Sequence, residues 1–209
     1  MIFSFKQFIV KTTLVAVLVA MGLQAKAQTN SQSTRYNYFF LEAIRQQEMG
    51  NFAAAFDLLR HARDINPNAP EVYYEIAGYY IDMQNGKAAR YYFEKAAELA
   101  PDNPAYLEKL GQFYISQANY EQALAAYERL YANNKTREDV LQILYQLYGS
   151  QNNYKKMIEV IERMEMLLGS SEQLSLTKMQ IFEQMGDKRK AQVELMRLVQ
   201  KNPLDLNYR

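Results

Sequence analysis

Tyr73, Ile76, Ala77 and Tyr80 follow one another at spacings of 3, 1 and 3 residues, which keeps their side chains within a narrow arc of a helix turning about 100° per residue. Leu107, Leu110, Gly111 and Tyr114 repeat the arc, and each is followed by a second one, Ala89-Phe93-Ala96 and Ala123-Tyr127. The pattern predicts amphipathic helices in pairs. The turn inside each pair is marked by Met49-Gly50-Asn51, Gln84-Asn85-Gly86, Gln117-Ala118-Asn119, Gln151-Asn152-Asn153 and Met185-Gly186-Asp187. Gly and Asn tolerate the left-handed backbone that ends a helix.

Proline punctuates the other junctions, at Pro67, Pro101 and Pro203, the first two 34 residues apart and the last two 102 apart. Blocks of 34 residues then run without insertion as 36–69, 70–103, 104–137, 138–171 and 172–205. A period of this length is the mark of a repeat array. Small residues at position 8 of a block (Ala43, Ala77, Gly111) and at position 20 (Ala55, Ala89, Ala123) let two helices approach closely and antiparallel. One pair of about 30 residues cannot bury its apolar face alone, so neighbouring pairs must stack.

The large residue, Leu-Gly-like pair and aromatic of the first helix, followed by Ala, aromatic, Ala and Pro on the second, resemble the tetratricopeptide repeat. Blocks two and three match best, block one matches on its second helix, and blocks four and five are degenerate. The resemblance implies an all-α, right-handed superhelical solenoid of antiparallel helix pairs whose first helices line a concave groove. In block four, Tyr145 stands at position 8 and Met157 at position 20. Methionine is adaptable enough to fill such a crossing, and six of the ten methionines fall in the last two blocks.

Composition narrows the function. The chain of 209 residues is 49% apolar and carries 24 basic against 23 acidic residues, without the basic excess expected of a nucleic-acid partner. It has no cysteine and one histidine, His61, at the solvent-facing position 26 of its block. Thiolate chemistry and a histidine metal cluster are excluded, and no cofactor is expected. No phosphate loop, zinc-protease helix or nucleophile elbow occurs. Residues 1–27 read as a cleavable export signal, with Lys6 and Lys11, an uncharged run from Thr12 to Ala25, and Ala25-Lys26-Ala27 before the cut. The uncharged run is too short to span a membrane. Cleavage takes the 24 bases to 21 by removing Lys6, Lys11 and Lys26. Residues 28–35 read as a polar linker, and a periplasmic or envelope location is expected.

Positions 2, 5, 9, 12 and 13 lie opposite the packed face of each first helix, the side that the resemblance places on the groove. Gln112, Gln146 and Gln180 recur at position 9 in three consecutive blocks, a ladder of amides suited to the backbone of an extended peptide. Toward the amino end the same positions hold Phe40, Ile44, Tyr74, Ile81 and Ile115, and apolar anchors of this kind make binding hot spots. The Lys-Asn-Arg carboxylate clamp of co-chaperone members is missing. Of the clustered tyrosines, Tyr73, Tyr79 and Tyr80 are expected to pack between helices, Tyr91 and Tyr92 to lie against neighbouring turns or the convex side, and Tyr74 to face the groove.

A sixth block begins at Leu206 and stops at Arg209. Val193, Leu195, Leu198 and Val199 on the preceding helix are therefore expected to be partly uncovered, which implies a longer array or self-association. The function expected is a non-catalytic, exported scaffold or adaptor for a protein or peptide. The alternative is the N-terminal regulatory or assembly arm of a larger enzyme or sensor.

Overall fold

The computed structural model describes residues 31–201. The export signal at 1–27 and the start of a sixth block at 206–209 lie outside them. The described residues form ten helices and no strand: α1 (31–48), α2 (Phe52–Ile65), α3 (Pro70–Asp82), α4 (Gly86–Leu99), α5 (Pro104–Ser116), α6 (Tyr120–Asn133), α7 (Glu138–Ser150), α8 (Tyr154–Leu168), α9 (Glu172–Gln184) and α10 (Lys188–Lys201). They divide into two compact units, one through Ala100 and one from Pro101. Residues 31–35, within the stretch expected to be a polar linker, are helical and belong to α1.

The turn inside every pair is built the same way. Gly50, Gln84, Ala118, Asn152 and Gly186, all at position 15, have φ between 52° and 79°. The next residue, Asn51, Asn85, Asn119, Asn153 or Asp187, donates its backbone N–H to the carbonyl five residues back, at 2.8–2.9 Å. Together with the bond from position 15 to position 12, this is the Schellman arrangement that closes a helix. The side chains of Asn85, Asn153 and Asp187 then accept from Ala88, Lys156 and Lys190, capping the following helix. One residue thus ends a helix with its backbone and starts the next with its side chain. The left-handed residue itself is Gln84 or Ala118 in the second and third turns, not the nearby Gly86 or an Asn.

Between pairs, Pro70 and Pro104 occupy the first turns of α3 and α5, where the missing N–H costs nothing. Asn103 accepts from the Ala105 and Tyr106 amides to start α5, and Ser171 accepts from Leu174 to start α9.

In the first unit α3 packs on α4, and α2 on α3. Ala43, Ala55, Ala77 and Ala89 are fully buried at the close crossings, with Leu59 and Phe93 beside them. Burying each of these large side chains contributes about 1.5–3 kcal/mol. Tyr73 and Tyr79 are buried and Tyr80 is half-buried. Tyr92 is buried as well, contrary to its expected place on turns or the convex side. It stacks on Tyr80 with centroids 5.2 Å apart, lies 5.8 Å from Tyr73, and its hydroxyl accepts from Arg63 at 2.6 Å. Tyr91 stays exposed.

In the second unit α5 pairs with α6, α7 with α8 and α9 with α10, and α6 packs on α7 and α8 on α9. The ring of Tyr127 is buried over Gly111. In the fourth block Met157 is buried with its methyl 3.5 Å from the place a Cβ on Gly149 would take. The large residue at position 20 is thus matched by a glycine on the facing helix, and Tyr145 is left half-buried.

The fifth block departs furthest from an apolar core. Lys178 occupies position 7 and is buried, with Glu165 of α8 at 3.0 Å and Glu194 of α10 at 3.1 Å; Arg197 also reaches Glu194 at 3.0 Å. Burial alone would depress the Lys178 ammonium, but the hydrogen bonds to the two carboxylates outweigh it and hold the pKa raised. Leu198, expected to be partly uncovered, is fully buried, whereas Val193 is 46% exposed and Leu195 and Val199 are half-buried.

Candidate partner-binding surface

The expected groove residues separate into an apolar set in the first unit and, in the second, three amides together with Ile115. In the first unit Phe40 and Ile44 on α1 are half-buried, and Phe40 stacks on Tyr36 with centroids 5.8 Å apart and planes 14° apart. Tyr36 is itself held by a 2.6 Å hydrogen bond from its hydroxyl to Glu71. On α3, Tyr74 is half-buried with its ring edge-on to Phe93 at 6.1 Å, and Ile81 is 42% exposed. Tyr74 therefore rests on the core while keeping part of its surface available.

Glu75, beside Tyr74, is half-buried, and burial raises its carboxyl above the ordinary range. On α1, Glu42 is held down to about 2 by hydrogen bonds from Arg45 and Gln46. The two acids differ because one has donors to it and the other is desolvated.

In the second unit Gln112 on α5, Gln146 on α7 and Gln180 on α9 are exposed, and Ile115 is half-buried. None of the three glutamine amides makes a hydrogen bond to another described residue. Each therefore offers a donor and an acceptor to solvent or to a ligand. His61 is exposed, with the ring of Phe39 edge-on at 4.3 Å. Among the described residues, no group of three or more His, Asp or Glu is placed to hold a metal ion, and no helix is long and apolar enough to cross a membrane.

Repeated antiparallel helix pairs with small residues at their crossings define an all-α helical repeat solenoid. Within that class, models of the tetratricopeptide repeat match residues 47–112 and 104–136, and the chain contains tetratricopeptide repeats there. No curated protein matches its sequence. Solved structures with the same fold include the MamA protein, 18% identical with a TM-score of 0.56, covering 84% of this chain and 96% of that one. A tetratricopeptide repeat protein from Parabacteroides merdae is 16% identical with a TM-score of 0.57, covering 84% and 70%. YrrB, described as a TPR protein with an unusual peptide-binding site, is 14% identical with a TM-score of 0.55, covering 81% and 88%. At these identities the likeness is one of fold, and function has to be argued from the site.

A cleft of about 450 Å³ in the first unit, lined by residues of α2 and the end of α3, carried no signal in the sequence. Its residues come from two repeats and match no linear motif.

Proposed function

We propose that this protein is an exported, non-catalytic scaffold or adaptor that holds a protein or peptide partner along the outward faces of its first helices. The observation that carries the proposal is the recurrence of exposed, unbonded amides at Gln112, Gln146 and Gln180 on three successive first helices. An extended peptide presents a donor and an acceptor at each residue, and such amides can pair with both. In the first unit Phe40, Ile44, Tyr74 and Ile81 supply apolar anchors, and these give most of the binding energy at protein interfaces. Tetratricopeptide repeats are in general protein-interaction scaffolds, which fits this chemistry. Replacing Tyr74 and Gln112 together by Glu should abolish capture of the partner while leaving helix content intact. Unchanged capture would contradict the proposal.

Export rests on residues 1–27. Expression in a bacterial host followed by fractionation should place the protein in the periplasm or envelope with an amino terminus at Gln28. Self-association is a second reading, favoured by Val193 and Met196, which are 46% and 54% exposed on α10. Sedimentation of the wild type and of a Val193→Lys, Met196→Lys variant would separate a dimer from a monomer.

A further inference from the structure

The cleft of the first unit has an aromatic floor and an acidic rim. Phe52 and Phe56 come from α2, Tyr79 from α3 and Met83 from the residue that follows it, while Asp57 and Asp82 stand among them. The floor is ordered: Phe56 lies 5.4 Å from Tyr79 and edge-on to Tyr80 at 5.6 Å, and the Tyr79 hydroxyl donates to Gln47 at 3.3 Å. Phe52 and Met83 remain 59% and 53% exposed, so the apolar surface is open to a ligand. Asp82 makes no ion pair among the described residues, and Asp57 meets Arg60 at 3.7 Å, with both side chains largely exposed. The Arg60 guanidinium also sits 6.0 Å above the Phe56 ring. The chain thus already sets one of its own guanidinium groups against this combination of ring face and carboxylate.

The geometry points to a second recognition site, in the first unit and built without the three glutamines, that accepts an arginine or lysine side chain flanked by a bulky apolar residue on a partner polypeptide. A cation over an aromatic face is attracted by the ring quadrupole, and its apolar stem covers the floor. Asp82 supplies the unpaired counter-charge. The volume lies in the range of about 300–1,000 Å³ typical of ligand pockets, enough for more than the cationic group alone. This site does not depend on the glutamine ladder, so either can fail without the other.

The test is a titration of the protein, labelled at its methionine methyl groups, with the peptide acetyl-Ser-Leu-Arg-Leu-Ser-amide and with its citrulline counterpart, which keeps the shape and removes the charge. The Met83 methyl resonance should move with the arginine peptide, and the citrulline peptide should bind about five- to tenfold more weakly. Asp82→Asn should weaken the arginine peptide about threefold and leave the citrulline peptide unchanged. Phe52→Ser, at an exposed position, should weaken both peptides and so reports on the floor independently. A Met83 resonance that stays in place at millimolar peptide would overturn the inference, as would equal binding of the two peptides. Free argininamide binding as tightly as the peptide would mark a site for small cations and would overturn it too.

Discussion

The ring of Tyr127 lies so close over Gly111 that a Cβ on that glycine would meet Cε2 at 2.7 Å and Cδ2 at 3.0 Å. Tyr127 is 1% exposed and cannot swing away, and burial pushes its phenol up to about 12. The equivalent position in the first two blocks is alanine, and the position of Tyr127 is held there by Leu59 and Phe93, all of them buried. The third pair therefore combines a smaller residue on one helix with a polar-tipped, larger ring on the other.

Gly111→Ala should destabilise the protein, since overpacking costs about 1–3 kcal/mol and the gain in helix propensity returns only about 1 kcal/mol. Adding Tyr127→Leu should recover part of the loss, so the two substitutions are non-additive. Urea denaturation of the single and double variants measures the coupling. Additive losses would place the strain elsewhere.

Lys178 is the second test of packing. Lys178→Met leaves Glu165 and Glu194 facing each other with side chains 17% and 6% exposed, and breaking a buried ion pair from one side costs about 3–5 kcal/mol. Lys178→Leu with Glu194→Leu should be far milder, because Glu165 retains a route to water. Thermal unfolding of the two variants decides it.

The alkaline edge of stability follows from the same groups. Lys178 has a raised pKa in the fold, so its contribution is complete below its ordinary value of 10.5 and is lost as pH rises through the folded value. Tyr127, raised from 10.0 to about 12, and Tyr148, raised by burial and its bond to Glu128, also favour the neutral phenol in the fold. Their contribution falls as pH rises above 10. Stability measured between pH 9 and 12 should drop steeply in the wild type and less steeply in Tyr127→Phe.

Gln84 and Ala118 adopt φ of 56° and 52° at turns where Gly50 and Gly186 serve elsewhere in the chain. A side chain in this region costs about 1–2 kcal/mol, partly offset by the greater unfolded-state freedom of glycine. Ala118→Gly and Gln84→Gly should each stabilise by about 0.5–1 kcal/mol, and Gly50→Ala should do the reverse. Chemical denaturation gives the sign directly.

Some parts of the molecule were legible in the chain and others were not. The helix pairs were, because position 15 and the Asn or Asp after it repeat with the apolar arcs on either side. The buried place of Lys178 was not: a lone lysine in a degenerate block looks solvated until α8 and α10 bring Glu165 and Glu194 to it. Tyr92 was misplaced for a similar reason, since its partners Arg63 and Tyr80 lie on two other helices. Gln112, Gln146 and Gln180 could be singled out by period alone, because exposure at one helical position is a local property. The cleft between α2 and α3 needed the packing of two repeats.

The central claim is that a polypeptide partner lies along the outward faces of the first helices. It is tested most directly by placing a photo-crosslinking amino acid at Gln112, Gln146 and Gln180 in turn, with the exposed second-helix positions Ala125 and Glu162 as controls. Irradiation in the native host should join one and the same protein at the three glutamine positions and not at the controls. Crosslinks that are absent from the three positions, or equally strong at Ala125 and Glu162, would contradict the account.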